Sequence, residues 1–586
     1  MSGIKRRTLL RATSTALGVT VADPGRPGAA AFAAGGRADP HEEVVRDASM
    51  VWRRLPTGTD GAPLVGNRRL TATVHAGARG NEVDFGLSAG GLVLRLAGEV
   101  TGVDWTLDLW DAELRGTVAT TRGSVELTAL APAGRDAFSV ELTGSPGEAG
   151  ASWETGGLPG REWREGGRRL LVVGADAAGT IDREAHRSWW HSYYRRSFVS
   201  VPDAAVQRLY WVQVYRAAAA GAAARNGLHH PFVDMAGLAE AGQSWSAPRG
   251  RFAIPGRGLR SGVSVNPVAS WGLPELWYAY RRRMDERMLR DQLYPALRKV
   301  LTFYRQFLVA SADGTLHLPP THNAIADSTY DLTLLRWAAR RAADSAVILD
   351  RPAEAGGWRR LALRLAPPHR DGGGVLLGAG AAVRRSHPRP DHLLWIHPLG
   401  DGGVDGDLAR RSFDRWAAVP DGWDGRSLAA AASMAAALGA AGTAHAYLGR
   451  AGGPDAAHAL LEMLIRASDG DAGPGRGAVL ELFPAAWPDV SIAGLRTEGA
   501  CLVDASRVDG RTAWIRVRSE AGGPLTVRHG IDGPVGVRTA NGHDAVAARE
   551  VTVRMDPGDT ALLTPAGVAE PGTHLRNVAR TARDTA

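Results

Sequence analysis

The sequence predicts a multidomain α and β chain: an N-terminal antiparallel β-sandwich, a central run of helices that reads as a bundle or an α/α toroid, and a small C-terminal β-domain. Three observations carry this. Apolar residues alternate with period two from about 50 to 180, recur with a 3.6-residue period from about 203 to 470, and alternate again after 478. At 586 residues the chain is also too long for a single hydrophobic core.

Residues 1–40 read as a leader. Lys5-Arg6-Arg7-Thr8-Leu9-Leu10 is a twin-arginine opening, Ala16–Ala22 is apolar, and Ala31-Phe32-Ala33 offers small residues for cleavage, although Asp23-Pro24-Gly25-Arg26-Pro27 interrupts the apolar stretch. The expected location is extracellular, reached by twin-arginine export. In the sandwich, 45–180, Leu92, Leu94 and Leu96 form one alternating set. Trp105, Leu107 and Leu109 form a second, and Val125, Leu127 and Ala129 a third. Ala89-Gly90-Gly91 and Arg122-Gly123 supply turns between strands.

A linker is expected over 181–202. Pro202-Asp203 then opens a helix with Val206, Leu209, Tyr210 and Val214 on one face. The clearest helix covers about 289–310, with Leu293, Leu297, Val300, Leu301, Tyr304 and Leu308 in register. Further helices fit 331–348, 354–366, 406–417, 426–439 and 454–467, with no strands between them. Residues 470–477 read as a linker. The C-terminal β-domain, 478–570, shows Ala513, Ile515 and Val517, then Leu525 and Val527, then Val551, Val553 and Met555, and 571–586 form a tail.

The formal net charge of +8 is spread along the chain with no run of basic residues, so nucleic acid is not an expected partner. No stretch is long and apolar enough to predict a membrane span. The single cysteine, Cys501, precludes an internal disulfide. Nothing in the sequence indicates an oligomeric state.

Several motifs, in order, resemble glycoside hydrolase family 95, in an actinobacterial branch. Val51-Trp52-Arg53-Arg54-Leu55-Pro56 with Gly66-Asn67-Arg68-Arg69-Leu70 resembles the family's opening. Trp105 to Ala112 and Trp189-Trp190-His191-Ser192-Tyr193-Tyr194 are similar to later segments. Asp327 to Trp337 resembles the helix after the acid-bearing loop, and His387 with His392 to Leu399 resembles a His-rich segment. Leu482 to Trp487 with Gly494-Leu495-Arg496 resembles the start of the C-terminal domain. The expected architecture is then a central (α/α)6 toroid over 203–470 between the two β-domains. The resemblance implies an inverting α-L-fucosidase or α-L-galactosidase, in which one acid protonates the leaving oxygen and a water is activated on the opposite face.

The family's catalytic groups are an acid in a Ser-Pro-Glu loop, and an Asn-x-Asn pair with a carboxylate that hold the water. Here the acid loop reads Pro319-Pro320-Thr321-His322-Asn323, with Asn323 near the position of the Glu. The Asn-x-Asn segment retains Asn266 alone, and the distal carboxylate segment, Gly452-Gly453-Pro454-Asp455, retains Asp455. An amide cannot donate a proton as a carboxylic acid does. Asp331, Asp327 and Asp455 are therefore the candidate catalytic carboxylates; each also suits a helix start. Asn266, Trp271, His322, Asn323, His387, His392 and Trp245 are the candidate substrate-binding residues. Tryptophans including Trp245, Trp271, Trp277 and Trp395 suit sugar stacking or a core. His387, His392 and His397 lack a metal-ligand spacing and have only Asp391 as a nearby carboxylate, so neither a metal nor a cofactor is expected.

Three functions compete at this level. The first is inverting hydrolysis of α-L-fucosyl or related bonds in extracellular glycans. The second is a non-catalytic carbohydrate-binding relative. The third is a polysaccharide lyase, for which Asn323, His322, Tyr330 and Arg336 lie close together in sequence.

Overall fold

The computed structural model describes residues 39–220, 268–320, 325–385, 387–400, 406–469, 478–568 and 575–579. Residues 1–38 of the expected leader lie outside them, as do Trp245, Asn266, His322 and Asn323, whereas Pro40 opens a helix, Pro40–Asp47.

The N-terminal region is built from two antiparallel sheets of seven and five strands between Met50 and Val173. The alternating sets fall where the period places them: Leu92, Leu94, Trp105, Leu107, Val125, Leu127 and Ala129 are all buried. Phe85 on the smaller sheet meets Phe138 on the larger with ring centroids 5.8 Å apart, closing the two faces into one core.

Residues 181–202, expected as a linker, hold a helix, Arg183–Tyr194, and a strand, Phe198–Ser200. Asp182 caps the helix by accepting from Ala185 N at 2.9 Å. His186 then fixes it to the larger sheet: Nε2 donates to Asp111 O at 3.0 Å and Nδ1 accepts from Ala133 N at 3.2 Å. The strand pairs with Val490–Thr497, so it belongs to the C-terminal sheet.

The helical region contains Ala204–Ala220, Val268–Arg283, Tyr294–Arg305, Thr329–Ile348, Pro352–Arg364, Gly406–Ala417, Gly425–Ala437, Ala441–Leu448 and Gly453–Leu464. The expected faces hold, with Leu293, Leu297, Val300, Leu301 and Tyr304 buried. Ala204–Ala220 departs from its one-sided reading: Gln207, Trp211 and Gln213 are buried as well as Val206 and Tyr210. It lies beneath surrounding elements, and Gln207 accepts from Ser200 Oγ at 2.6 Å. The expectation of no strands between helices is corrected by two short hairpins, Val309–Ala310 with Leu316–His317 and Arg370–Asp371 with Gly374–Val375. Two-residue strands carry too little periodicity to be visible in a sequence.

The C-terminal region has a seven-stranded sheet, which includes Phe198–Ser200, and a four-stranded sheet. Ile465–Asp469 follows directly on the last helix as a strand of the smaller sheet, so the 203–470 helical span ends in β-structure. Ala513 does not share the buried face of Ile515 and Val517: Trp514 and Ile515 are both buried, and the alternation slips between them. A register shift at Ser506/Arg507 on the neighbouring strand accompanies this slip.

Among the described residues, the helices divide between two large cores. Ala204–Ala220 and the helices from 406 to 464 share one continuous core with both β-regions, whereas helices from 273 to 366 form a second. The segment 393–399 straddles them: Leu393, Trp395 and Ile396 belong to the first core, Leu394 and Leu399 to the second.

Candidate functional site

The helix Thr329–Ile348 begins with a built-in cap. Ser328 Oγ accepts from Asp331 N at 3.4 Å, in a Ser-x-x-Asp arrangement close to a capping box. Just before it, Asp327 adopts a left-handed backbone, φ +47°. Its carboxylate accepts from His317 Nδ1 at 2.7 Å, His369 Nε2 at 3.1 Å and Leu318 N at 2.7 Å. Burial alone would raise its pKa; the three donors outweigh it and hold the carboxyl below the usual range. Asp327 is thus an ionised anchor for two imidazoles, not a proton donor.

The turn after the second hairpin clamps this helix start. Thr329 N and Oγ1 donate to Leu377 O and Leu376 O at 3.0 and 2.7 Å, and Ala379 N donates to Ala326 O at 2.9 Å. Gly378 is required by this close approach: a Cβ there would stand 2.3 Å from Ile325 Cγ2 and 2.8 Å from Ala326 O.

Asp331 is buried, and burial pushes its pKa to about 7, opposed by a hydrogen bond with Ser328 and reinforced by the charge of Asp391. Burial also pushes Asp391 up, to about 6. The short helix Asp391–Leu393 packs on Thr329–Ile348, which brings the two carboxyl groups into the same electrostatic environment across 60 residues of sequence. Two aspartates with displaced acidities in one neighbourhood are the arrangement that proton transfer needs.

The surrounding segment is held from several helices. Trp416 Nε1 donates to His387 O at 2.6 Å, Ser427 Oγ to Pro388 O at 2.6 Å, and Tyr278 Oη to Pro398 O at 2.9 Å. The rings of His387 and His392 meet edge to face, 6.5 Å apart. His392 is buried, its Nε2 has no hydrogen-bond partner among the described residues, and burial lowers its pKa to about 3, with His387 and Arg415 adding to the effect. It is therefore neutral across the physiological range. A buried imidazole, unsatisfied among the described residues and next in sequence to Asp391, together with the Asp331 and Asp391 carboxyls marks this as the candidate site.

The other sequence candidates fall elsewhere or have structural roles. Asp455 lies in the first turn of Gly453–Leu464 and faces Arg426 Nε at 3.5 Å. Trp271 falls in the first turn of Val268–Arg283, with its side chain outside the described set. Trp277 is buried beneath Arg281 and Arg341, and Trp395 is buried with its indole donating to His392 O, so both act in the core. Asp391 was missed as a catalytic candidate because only tertiary packing brings it to Asp331.

No protein-family model matches the sequence, and no curated protein matches it. Among solved structures, one described as "Putative kojibiose phosphorylase from human microbiome" superposes with TM-score 0.54 at 8% identity, over 89% of this chain and 98% of that one. An α-L-rhamnosidase from Dictyoglumus thermophilum gives TM-score 0.36 at 10% identity, over 72% of this chain and 56% of that one. The Streptomyces avermitilis α-L-rhamnosidase, complexed with L-rhamnose, gives 0.37 at 11%, over 81% of this chain and 54% of that one. The likeness to the first is one of fold along nearly the whole chain. It shows a shared fold and does not reach the fucosidase family or its sugar.

Proposed function

We propose that this chain is an exported glycoside-processing enzyme whose helices form an (α/α)6 ring around the Asp331 neighbourhood, with α-L-fucosyl or related α-linked termini of extracellular glycans as substrate. The observation that carries the reading is the buried Asp331 carboxyl, poised near neutrality beside Asp391, on a fold shared with a structure described as a sugar phosphorylase.

The proposed chemistry is inversion. Asp391, the more acidic of the two, ionises first, and its charge helps keep the proton on Asp331. Asp331 donates that proton to the glycosidic oxygen as the C–O bond breaks. Asp391 accepts a proton from the water that attacks the anomeric carbon from the opposite face. His392, neutral and with a ring nitrogen unpartnered among the described residues, offers a hydrogen bond to a sugar hydroxyl.

The test is an incubation of purified protein with an aryl α-L-fucoside and with α-linked disaccharides, each with and without inorganic phosphate, followed by proton NMR. Hydrolysis whose first product has the inverted anomeric configuration is expected. A sugar phosphate formed only with phosphate present would replace water by phosphate as nucleophile. Unsaturated uronate products would indicate a lyase. Binding without turnover would leave a carbohydrate-binding protein.

A further inference from the structure

His397 sat in the sequence beside His387 and His392, but the fold turns it elsewhere. It meets two residues of the helix Gly453–Leu464. His458 and Glu462 are four residues apart, so one helical turn places both side chains on the same face. Glu462 Oε2 lies 3.1 Å from His397 Nδ1, and Glu462 Oε1 lies 3.4 Å from His458 Nε2. The three ligand atoms all fall within 4.8 Å of one another. His397 is 6% exposed, and the His458 and Glu462 side chains are 17% and 14% exposed.

From these residues we infer a divalent transition-metal site of the zinc class, formed by His397, His458 and Glu462, that fastens the segment carrying Asp391 and His392 to the helix Gly453–Leu464. Zinc–nitrogen and zinc–oxygen bonds of about 2.0–2.2 Å put the edges of a tetrahedral ligand set at roughly 3.4 Å. The two separations above are close to such an edge but run to different oxygens of Glu462, so a turn of that carboxylate is needed to bring one oxygen to both imidazoles; one ligand atom from each residue already lies within 4.8 Å of the other two. Two imidazoles and one carboxylate suit zinc and its neighbours in the transition series, whereas calcium and magnesium favour all-oxygen sets. Three protein ligands leave one position for water or for a ligand hydroxyl.

The consequence is mechanical. His397 follows Asp391 and His392 by a few residues, and Gly453–Leu464 leads directly into the strand Ile465–Asp469 of the C-terminal domain. A bound ion would couple the 387–400 segment to that helix and stabilise the native state by mass action.

Tag-free protein is stripped with chelator, dialysed and titrated with Zn2+ and with Co2+, with metal content, visible absorption and melting temperature followed. One equivalent bound in the micromolar range or tighter is expected, with cobalt d–d bands of tetrahedral intensity and a metal-dependent rise in melting temperature. Glu462→Gln and His458→Ala should each weaken binding at least 100-fold and remove the d–d bands. Because either variant could fold poorly, the wild-type protein decides alone as well. Failure to bind stoichiometric metal at 100 μM, or cobalt bound without d–d bands of tetrahedral intensity, overturns the site. Folded variants that bind as the wild type does also overturn it.

Discussion

Arg281 Nε donates to Glu498 Oε2 at 3.0 Å with both side chains almost wholly withdrawn from water, 4% and 6% exposed. The pair joins the helix Val268–Arg283 to the turn between two strands of the C-terminal sheet. The same turn returns its Gly499 and Ala500 N–H groups to Arg281 O, at 2.9 and 3.3 Å. Breaking a buried ion pair by removing one of its partners costs about 3–5 kcal/mol. Glu498→Gln should therefore lower the urea midpoint sharply, and Arg281→Met with Glu498→Leu together should cost less than the single change. A single variant within about 0.5 kcal/mol of the wild type would show the pair to be expendable.

A second buried ion cluster anchors the helix Arg183–Tyr194. Glu113 is fully buried and receives hydrogen bonds from Arg115, Arg183 and Arg187. Burial opposes ionisation, but the three guanidinium groups prevail and bring its pKa down to about 2. A carboxyl whose folded pKa is depressed stabilises the native state above its unfolded value, and that contribution disappears as pH falls from about 4.5 toward 2. Glu113→Gln should destabilise the protein at pH 7 and flatten the acid limb of its stability curve. Chemical denaturation at pH 3, 4, 5 and 7 reads both effects.

Asp331 gives the opposite slope. Its folded pKa, about 7, lies above the ordinary aspartate value of 3.8, so the native state holds a proton that the unfolded chain releases between those pH values. Stability contributed by this group falls as pH rises through that window and is level above it, with a ceiling on the order of 4 kcal/mol. Asp331→Asn removes the titration. The variant should gain melting temperature relative to the wild type at pH 8 and lose that advantage at pH 4. An equal difference at both pH values would remove burial as the cause of the shift.

Gly378 tests the clamp on the helix start. With a Cβ only 2.3 Å from Ile325 Cγ2, Gly378→Ala must push the 376–379 turn away from Ala326 and Asp327. Overpacking of this kind costs about 1–3 kcal/mol. Turnover should fall further than that stability loss explains, because Asp327 and Asp331 would move. Full activity in a destabilised variant would separate the clamp from catalysis.

What the sequence made legible follows from how each signal is encoded. Leu92, Leu94 and Leu96, or Leu293, Leu297 and Leu301, declare their elements because burial repeats at the period of the backbone. Arg183–Tyr194 escaped because its buried face is short and only its last turns are apolar: Trp190, Tyr193 and Tyr194 share one side, but the place one turn earlier is taken by His186 among charged residues. Asp331 could be singled out from its position at a helix start and from the family resemblance. Its partner could not, since Asp391 is neighbour to Asp331 only through packing. His458 and Glu462 carry the helical four-residue spacing, but His397 comes from a loop some 60 residues away, a separation no local pattern encodes. Four of the ten candidate site residues, Asn266, His322, Asn323 and Trp245, fall outside the described residues; of the others, Asp331, His387 and His392 belong to the site, which Asp391 joins.

The most direct test of Asp331 as proton donor compares leaving groups. An aryl glycoside departs with little protonation, whereas a sugar or alkyl leaving group depends on the acid, whose contribution is typically 10²–10⁴-fold. For Asp331→Asn, kcat/KM on a natural disaccharide should fall by at least about 10²-fold while the aryl glycoside loses far less. Equal losses on both substrates, or none on either, would contradict the assignment.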